Sequence, residues 1–414
     1  MIARATLALL LLAAPAGAQT FSDTGPDAND YGAREGYPAA FPPGQFRNPH
    51  YLVGRFSSSA TLTTTRLVER AGPIWAFKRA PVPIEIAYNF RGQPRSLALY
   101  LANHPTTGLL VLKDDTILFE AYQYARTDRQ KFLSQSMAKT VTAMLVGIAV
   151  AEGRIASIDD PVEKYVTGLK GKEYGGSSIR ALLHMSSGVA YREDYSGEDD
   201  NARMGRGLYR VSPGGQAAVV GQFNERTAPP LTRFHYASVE TEILGLVLAA
   251  ATGRPVAEYL SEKIWRHLGA EADAHWQVDG GGQEMTYCCL NATLRDYARL
   301  GRLLAHDGNW NGRQLIPRQW VIDATTVPAD KPFLAPTPQR FGYGYQVWLV
   351  PGPVDEPQRR VFVLLGIHGQ AIFVDPASKL VMVQTAVRKL PSNDPKGAET
   401  NALWRALLAK HAKP

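Results

Sequence analysis

A serine and a lysine three residues apart are the strongest chemical signal in this sequence. Ser136 and Lys139 stand at the start of a long apolar run that continues to Glu152. Residues three and four apart are neighbours on a helix, so a helix that begins here places the amine against the hydroxyl. A serine hydroxyl is a weak nucleophile at neutral pH, and a lysine whose pKa is lowered can act as its base. The pair predicts nucleophilic catalysis by Ser136.

The surrounding segments predict how this pair is positioned. The run after Lys139 is apolar on nearly every face, which predicts a helix buried inside a domain. Residues 108–124 predict a hairpin with its turn at Asp114-Asp115, and strand patterns return between 341 and 387 before a final helix over about 397–411. We therefore expect an α/β (α+β) fold: an antiparallel sheet built from both ends of the chain and flanked by helices. A mostly helical lobe, roughly 155–305, is inserted, residues 19–104 form an N-terminal extension and residues 105–414 form the main domain.

The order of these segments resembles a known superfamily. After the buried helix, short helical segments open at 159–161 and close at 186–188. With the Ser-x-x-Lys tetrad, this order resembles the serine β-lactamase and penicillin-binding-protein superfamily, in particular the class C-like branch with carboxylesterases and 6-aminohexanoate-dimer hydrolases. The resemblance runs from about residue 105 to the C-terminus. It implies a β-lactamase/transpeptidase-like fold.

The second motif of the superfamily, Tyr-x-Asn or Tyr-x-Ser, has a match in Tyr236-Ala-Ser238. The resemblance implies that Tyr236 passes a proton to the leaving group and that Ser238 contacts substrate. We expect neighbouring Lys139 to acidify the phenol by lowering its pKa. Residues 259–261 repeat the spacing inside an amphipathic pattern, and we interpret this copy as part of an ordinary helix.

The third motif, Lys-Thr-Gly on the strand that edges the site, is replaced here by Ile367-His368-Gly369-Gln370. The resemblance implies that the N–H of Gln370 and that of Ser136 form the oxyanion hole. Gly369 would allow the backbone to approach the substrate closely. His368 has two interpretations: contact with a substrate carboxylate or the catalytic tyrosine, or a strand-end histidine held by its neighbours. Because the lysine is missing, the sequence favours ester or amide hydrolysis over β-lactam hydrolysis.

Substrate choice is expected to depend on two loops. The acidic, aromatic segment 191–200 lies over the active-site mouth in this superfamily, which implies that Tyr195 closes over the substrate and one carboxylate receives a substrate ammonium group. The alternative is that these charges only solvate an exposed loop. The glycine-rich segment 281–297 resembles the pocket loop of the superfamily, leading into a helix capped near Thr293. Tyr287 is its expected pocket residue, and Asp296 is interpreted as structural.

Residues 1–18 have the pattern of a cleaved secretory signal. An arginine near the start precedes an apolar core and the small residues Ala16-Gly17-Ala18. The stretch is too short to remain as a membrane span, and no other segment approaches that length. We therefore expect cleavage after Ala18, a periplasmic or secreted protein, and no stable membrane insertion.

Composition excludes several other classes of protein. A chain of 414 residues with 45% hydrophobic residues can bury a large core. Its net charge of +7 is spread without a run of five or six basic residues, so no nucleic-acid partner is expected. The histidines show no zinc-like spacing, and no metal or cofactor is expected. Cys288 and Cys289 are interpreted as adjacent strand residues on opposite faces, which argues against a disulfide between them.

These features together predict an exported serine hydrolase. It would cleave small substrates, either short acyl esters or linear amides such as 6-aminohexanoate oligomers, through an acyl-enzyme on Ser136. Two alternatives stay open: a β-lactamase or penicillin-binding D-alanyl peptidase, and a catalytically silent binding member of the fold. Retention of Ser136, Lys139 and Tyr236 together argues against the silent member.

Overall fold

The computed structural model of the chain describes residues 19–42, 44–45 and 47–412, so the predicted signal segment lies outside the described residues. The strands in this part of the chain are β1 Thr20–Phe21, β2 Thr65–Val68, β3 Lys78–Arg79, β4 Ala87–Phe90, β5 Gln93–Ser96, β6 Thr106–Lys113, β7 Thr116–Tyr122, β8 Phe132–Leu133, β9 Ala274–Gln277, β10 Leu290–Ala292, β11 Asn309–Trp310, β12 Arg313–Gln314, β13 Gly342–Tyr343, β14 Trp348–Val350, β15 Val361–Gly366, β16 Gln370–Asp375 and β17 Leu380–Ala386. The α-helices are α1 Leu52–Leu62, α2 Leu97–Asn103, α3 Ala138–Ala151, α4 Ile179–Leu183, α5 Asp200–Leu208, α6 Gly215–Val220, α7 Ser238–Thr252, α8 Val256–Lys263, α9 Leu294–Ala305, α10 Arg318–Ala324 and α11 Lys396–His411.

The main sheet is assembled from both ends of the chain, as the sequence predicted. Its order is β1-β7-β6-β17-β16-β15-β14-β13, with β3 also paired to β7. All pairs are antiparallel except those of β1 and β3 with β7. The hairpin of β6 and β7 turns at Asp114 and Asp115, where Asp114 adopts a φ of 52°. The predicted mixed fold and its sheet are confirmed.

Helix α3 lies at the centre of the molecule. Its residues from Ala138 to Ala149 are all buried, which is why the sequence shows no polar face over this stretch. α10 packs so closely that a Cβ at Gly147 would lie 2.4 Å from the ring of Trp320. The indole N–H of Trp320 also donates to the Ala143 carbonyl at 3.1 Å. The predicted buried helix is confirmed, and α10 packs against its middle turns.

α7 and α8 form the apolar interior of the helical lobe. Residues Ser238 to Leu248 of α7 are all buried. Among the described residues, no single helix has the length and apolarity needed to cross a membrane. α7 and the segment Val256–His267 reach those values only as a pair, with a bend of 72° between them.

α9 falls inside the range 155–305 but belongs to the sheet layer. Its small residue Gly301 faces the sheet, where an added Cβ would lie 2.5 Å from Val381 on β17. The helix begins at Thr293, whose hydroxyl accepts from the backbone N–H of Asp296 at 3.1 Å, as the sequence predicted. The helical lobe therefore ends before α9.

The N-terminal extension is part of both sheets. β1 and β3 lengthen the main sheet, and β2 pairs with β9 in a second sheet of order β2-β9-β10-β8. β8 leads directly into Ser136. α1 of the extension packs against β8, so the extension supports the strand that leads to the serine.

Candidate active site

Ser136 lies where β8 gives way to α3. A 3-10 turn, Gln135–Met137, joins the two elements, and Gln135 adopts a φ of 47°. Lys139 follows in the first turn of α3, and its Nζ lies 3.0 Å from Ser136 Oγ. The spacing of three residues thus produces the hydroxyl–amine contact that the sequence predicted.

Lys139 is enclosed by aromatic rings and a backbone carbonyl. Its Nζ donates to the carbonyl oxygen of Tyr287 at 2.9 Å and lies 5.1 Å from the ring centroid of Tyr236. Burial lowers the pKa of Lys139 to about 8, although the charges of Glu193 and Glu242 oppose this shift. The amine is therefore neutral in a substantial fraction of molecules near pH 8, and can accept the Ser136 proton.

Tyr236 packs in an aromatic group on the other side of the lysine. Its ring stacks on Trp348 at 5.4 Å and meets the edge of Tyr343 at 6.2 Å. Burial raises the pKa of the phenol, the charge of Glu193 raises it further, and the Ser136 hydroxyl lowers it by less. The expected acidification of this phenol is wrong, because burial raises its pKa by more than the Ser136 hydrogen bond lowers it. Tyr236 is held as a neutral phenol, a proton donor.

Hydrogen bonds from the loop that carries Tyr287 to Glu242 of α7 fix the position of this loop. Glu242 accepts from the backbone N–H of Thr286 at 2.8 Å and from that of Tyr287 at 3.4 Å. Thr142 of α3 donates to the Thr286 carbonyl at 3.0 Å. The Tyr287 ring lies 5.4 Å from Lys139 Nζ, so both its ring and its carbonyl face the amine. Tyr287 thus lies against the reactive amine, and its contact with substrate stays a prediction.

The two cysteines that follow Tyr287 form a disulfide, Cys288–Cys289, contrary to the sequence prediction. The prediction assumed an extended strand, but β10 begins only at Leu290 and the chain turns before it. Cys289 has a φ of 73°, so the alternation of side chains in a strand does not apply to this pair. The bridge directly follows Tyr287, whose carbonyl oxygen accepts a hydrogen bond from Lys139 Nζ.

Glu193 joins the predicted lid residues to α7. Its carboxylate accepts from the hydroxyl of Tyr195 at 2.8 Å, and from the backbone N–H and hydroxyl of Ser238, each at 2.7 Å. Tyr195 and Ser238, both predicted to contact substrate, thus use their hydroxyls on this carboxylate. Glu193 also acts on the pKa values of Lys139 and Tyr236. Among the acidic loop residues, it is the one directed toward the reaction centre.

The end of β15 differs from the prediction for Gly369 and Gln370. Gly369, at a φ of 96°, faces the side chain of Arg388, and the Gln370 side chain binds the Ile367 carbonyl at 3.2 Å. Gln370 is also paired with Gly366 in the sheet. Gly366 makes the close approach instead, since a Cβ there would lie 2.5 Å from the carbonyl oxygen of Ser134. The turn after Gly366, Ile367–Gly369, is three residues long. The glycine of the strand motif therefore corresponds to Gly366 rather than to Gly369.

His368 is held by its neighbours, the second of its two interpretations. Its Nδ1 lies 2.6 Å from the Arg388 carbonyl oxygen, and its ring meets Phe56 of α1 at 5.3 Å. Burial lowers the pKa of His368 to about 4. The side chain is neutral at physiological pH and is no substitute for a lysine.

The residues outside the reaction centre follow their structural interpretation. Tyr259 lies in α8 and donates to Glu152 at 3.0 Å, away from Ser136. Asp296 accepts from the backbone of Glu271 at 2.8 Å and pairs with Arg299 at 3.0 Å. Both side chains are thus occupied in packing the lobe and its junction with the sheet.

Comparison with known proteins assigns the chain to a family. The sequence model of the family described as Beta-lactamase matches residues 98–405. The match includes the tetrad, the tyrosine motif and the strands that edge the site. The chain belongs to this family and is a hydrolase of the β-lactamase fold.

Named relatives share much of the chain. A 6-aminohexanoate-dimer hydrolase of Paenarthrobacter ureafaciens is 29% identical over 289 residues, 67% of this chain and 72% of the relative. A putative D-alanyl-D-alanine carboxypeptidase of Escherichia coli is 26% identical over 40% of this chain and 42% of its own length. The solved structure of a putative 6-aminohexanoate-dimer hydrolase from Bacillus anthracis matches with a TM-score of 0.79 at 24% identity, covering 94% of this chain and 100% of that chain.

Three positions that contact or support the candidate site were missed at the level of sequence. Glu242 could have been found as a carboxylate inside an otherwise apolar helix pattern. Gly366 ends a strand pattern one position before the segment that was matched to the motif. Glu193 was one of several acids in its loop, and nothing in the sequence distinguishes it from Asp194 or Glu198.

Proposed function

We propose that this protein is an exported serine hydrolase that cleaves small linear amides and short acyl esters through an acyl-enzyme on Ser136. The observation that carries the proposal is the contact of 3.0 Å between Lys139 Nζ and Ser136 Oγ in a buried setting. A desolvated amine beside a serine hydroxyl is a means of activating that hydroxyl. Family membership supports the same chemistry.

The proposed reaction begins with neutral Lys139. The amine accepts the proton of the Ser136 hydroxyl as Oγ attacks the substrate carbonyl carbon. The phenol of Tyr236 protonates the departing nitrogen or oxygen and becomes a phenolate, which the Lys139 ammonium reprotonates. Water then attacks the acyl-enzyme by the reverse route, which restores Ser136.

The tetrahedral oxyanion needs two hydrogen-bond donors. The backbone N–H of Ser136 is the first. For the second we propose the N–H of Ile367, because Ile367 follows Gly366, the glycine whose backbone approaches Ser134. This assignment replaces Gln370, which lies in the ladder of β16.

The substrate class is inferred from the charge at the mouth and from the relatives. Glu193 has three hydrogen bonds, so its carboxylate retains acceptor capacity for a substrate ammonium group. The name of the Paenarthrobacter relative supports linear ω-amino amides. The missing strand lysine supports weak action on β-lactams, because a β-lactam carboxylate would lose a charge-assisted bond there.

A substrate panel tests this proposal. p-Nitrophenyl acetate, 6-aminohexanoate dimer and nitrocefin would be assayed on the mature protein. We expect kcat/KM for the best ester or linear amide to exceed that for nitrocefin by at least about tenfold, the lower end of the loss of one charge-assisted bond. Nitrocefin as the best substrate, or covalent labelling by a fluorescent penicillin at comparable efficiency, would favour the β-lactamase or peptidase alternative.

Export is also a proposal, supported by residues 1–18 alone. Fractionation of cells that express the full chain would test it, with N-terminal sequencing of the product. We expect a mature N-terminus at Gln19 outside the cytoplasm. A cytoplasmic product that retains Met1 would contradict export.

A further inference from the structure

The turn between β13 and β14 contains a buried glutamine whose polar groups are all hydrogen-bonded. The backbone N–H of Gln346 donates to the Leu183 carbonyl at 2.9 Å, and its side-chain Nε2 donates to the Leu182 carbonyl at 2.6 Å. Its backbone carbonyl accepts from the Thr140 hydroxyl and its Oε1 accepts from the Thr241 hydroxyl, each at 2.6 Å. Gln346 therefore joins α3, α7 and the end of α4 to one edge of the main sheet.

The backbone conformation of Gln346 points to a role for its side chain. Its φ of 56° lies in the left-handed region, which favours glycine because a Cβ is strained there. A glycine would keep both backbone hydrogen bonds but would lack the amide that binds Thr241 and Leu182. Strained residues persist where the surrounding contacts hold them, and they cluster at functional sites. The side-chain amide is therefore the group whose role needs an explanation.

Two partners of this glutamine flank the reaction centre. Thr140 directly follows Lys139, the proposed base, in the first turn of α3. Thr241 lies in the first turn of α7, the helix that begins just after Tyr236, the proposed acid. The contacts of Gln346 therefore fix the helix that carries the base relative to the helix that follows the acid.

The strands on either side of the turn pack on the ring of Tyr236. Tyr343 of β13 and Trp348 of β14 are paired in the sheet, and their ring centroids lie 6.2 Å and 5.4 Å from that of Tyr236. The Gly344 N–H closes the turn by donating to the Val347 carbonyl at 2.8 Å. A displacement of this short turn would therefore move the aromatic rings that hold the phenol.

We propose that Gln346 is a positioning residue for Tyr236: it sets the place of the phenol relative to Lys139 and so controls proton transfer to the leaving group. The inference rests on the proposed reaction, in which Tyr236 protonates that group. The contact of 3.0 Å between Lys139 and Ser136 is local to the start of α3 and involves no atom of Gln346. Loss of the amide should therefore impair protonation of the leaving group and leave activation of the serine in place.

Aryl acetates with leaving groups of different basicity test this role. p-Nitrophenoxide leaves readily without a proton, whereas phenoxide is more basic and gains more from an acid. Gln346→Met keeps the length of the side chain and removes the amide. We expect it to lower kcat/KM for phenyl acetate by about tenfold to a hundredfold, since a misplacement of about 1 Å can have an effect of this size. For p-nitrophenyl acetate, kcat/KM should fall by less than about threefold.

Two threonine variants separate the amide contact from folding. Thr241→Val removes one partner of the amide and should give the same selective loss for phenyl acetate, but a smaller one. Thr252→Val is the control, because Thr252 lies on the same helix and its hydroxyl donates to the Leu248 carbonyl at 2.7 Å. It should leave kcat/KM for both acetates unchanged. Thermal melting would be recorded for each variant, and if Gln346→Met does not fold, Thr241→Val decides.

The Tyr236→Phe background shows whether Gln346 acts through the phenol. There, Gln346→Met or Thr241→Val should lower kcat/KM for phenyl acetate by less than about twofold further, because a residue that acts only through a missing group has no separate effect. Losses that multiply, or equal losses for both acetates in the presence of Tyr236, would overturn the positioning role. Full activity of Tyr236→Phe on phenyl acetate would instead contradict the proposed acid, on which the inference rests.

Discussion

The reaction centre and the mouth of this site are built in different ways. At the centre, Ser136 and Lys139 come from one turn of one helix, and Lys139 is only 1% exposed. At the mouth, Glu193 of the acidic loop binds Ser238 of α7, and Arg47 of the N-terminal extension donates to the Tyr195 carbonyl of the same loop. The centre owes its chemistry to desolvation and local geometry, whereas the mouth owes its charge pattern to tertiary contacts.

This difference indicates what each part controls. Changes at the centre should lower the rate for every substrate, because the proton transfers involve the scissile bond alone. Changes at the mouth should affect substrates according to the charge at their ends. The predictions below separate these two effects, from the largest to the smallest.

Removal of the nucleophile should give the largest loss. We expect Ser136→Ala to lower the turnover of p-nitrophenyl acetate and of any amide by at least about a thousandfold while the protein stays folded. Ser261→Ala is the matched control, because Ser261 is a buried serine that follows the other tyrosine of the same spacing and donates to the Glu69 carbonyl. Initial rates and thermal melting would be measured for both. Residual activity above that limit would mean that another group is the nucleophile.

Lys139→Ala and Tyr236→Phe should each lose most of the activity, and the double variant should be scarcely worse than either one. Groups that transfer protons as one unit are strongly non-additive. Tyr259→Phe is the control, since it removes only a hydroxyl bond to Glu152 at 3.0 Å. Kinetics of all four variants on one ester would be compared. Losses that multiply would show that lysine and tyrosine act independently.

Glu193→Gln should separate the mouth from the centre. We expect kcat/KM for an ammonium-bearing amide to fall about tenfold to a hundredfold, the cost of a charge-assisted bond. With a neutral ester, kcat/KM should fall by less, because only the effect of Glu193 on the pKa values of Lys139 and Tyr236 remains. Asp194→Asn, in the same loop but bonded to the backbone N–H of Ser196 at 2.9 Å, is the control. Equal losses of kcat/KM for both substrates would show that Glu193 acts on Lys139 and Tyr236 rather than on the substrate ammonium group.

Two buried carboxylates of α7, Glu242 and Glu240, allow a test of how Glu242 affects the pKa of Lys139. Activity should rise as pH rises through the Lys139 pKa of about 8, because only the neutral amine accepts a proton. The Glu242 charge raises that pKa. Burial raises the pKa of Glu242 itself to about 8, so the carboxylate is only partly charged over the ascending limb. Glu242→Gln should therefore move the limb to lower pH by less than about one unit, with a loss of up to about tenfold in kcat.

The control is Glu240→Gln, since Glu240 lies on the same helix, is equally buried and bonds to Ser187 rather than to the Tyr287 loop. It should not move the limb. Profiles of kcat/KM against pH for both variants would be recorded with a neutral ester. An unmoved limb in Glu242→Gln would restrict Glu242 to holding the loop.

The disulfide should have the smallest effect. Cys288→Ser with Cys289→Ser should change kcat by less than about fivefold, because Glu242 and Thr142 hold the loop independently. The chain-entropy contribution of so short a bridge is small. Kinetics and thermal melting would be compared with the parent protein, whose bridge is verified by mass spectrometry after thiol alkylation. A large loss of kcat for all substrates would make the bridge part of the centre.

The sequence predicted the parts of the fold that depend on local pattern. The buried α3, the β6–β7 hairpin and the helix cap at Thr293 each follow from a few consecutive residues. The Ser136–Lys139 contact belongs to this group, since helical spacing alone produces it. The location of the strand motif could not be predicted in this way, because the three-residue turn after Gly366 changes the alignment of the motif.

Tertiary structure decided the states of these groups and the make-up of the mouth. The pKa values of Lys139 and Tyr236 depend on how completely the surrounding rings exclude water, which no local pattern encodes. The disulfide depends on a turn at Cys289, and the placement of His368 depends on Phe56 of α1 packing against its ring. The sequence by itself therefore determined the contact between the proposed nucleophile and its proposed base, because Ser136 and Lys139 are neighbours on one helix. Only the folded structure decided which distant charges face them, because that depends on packing between segments far apart in the sequence.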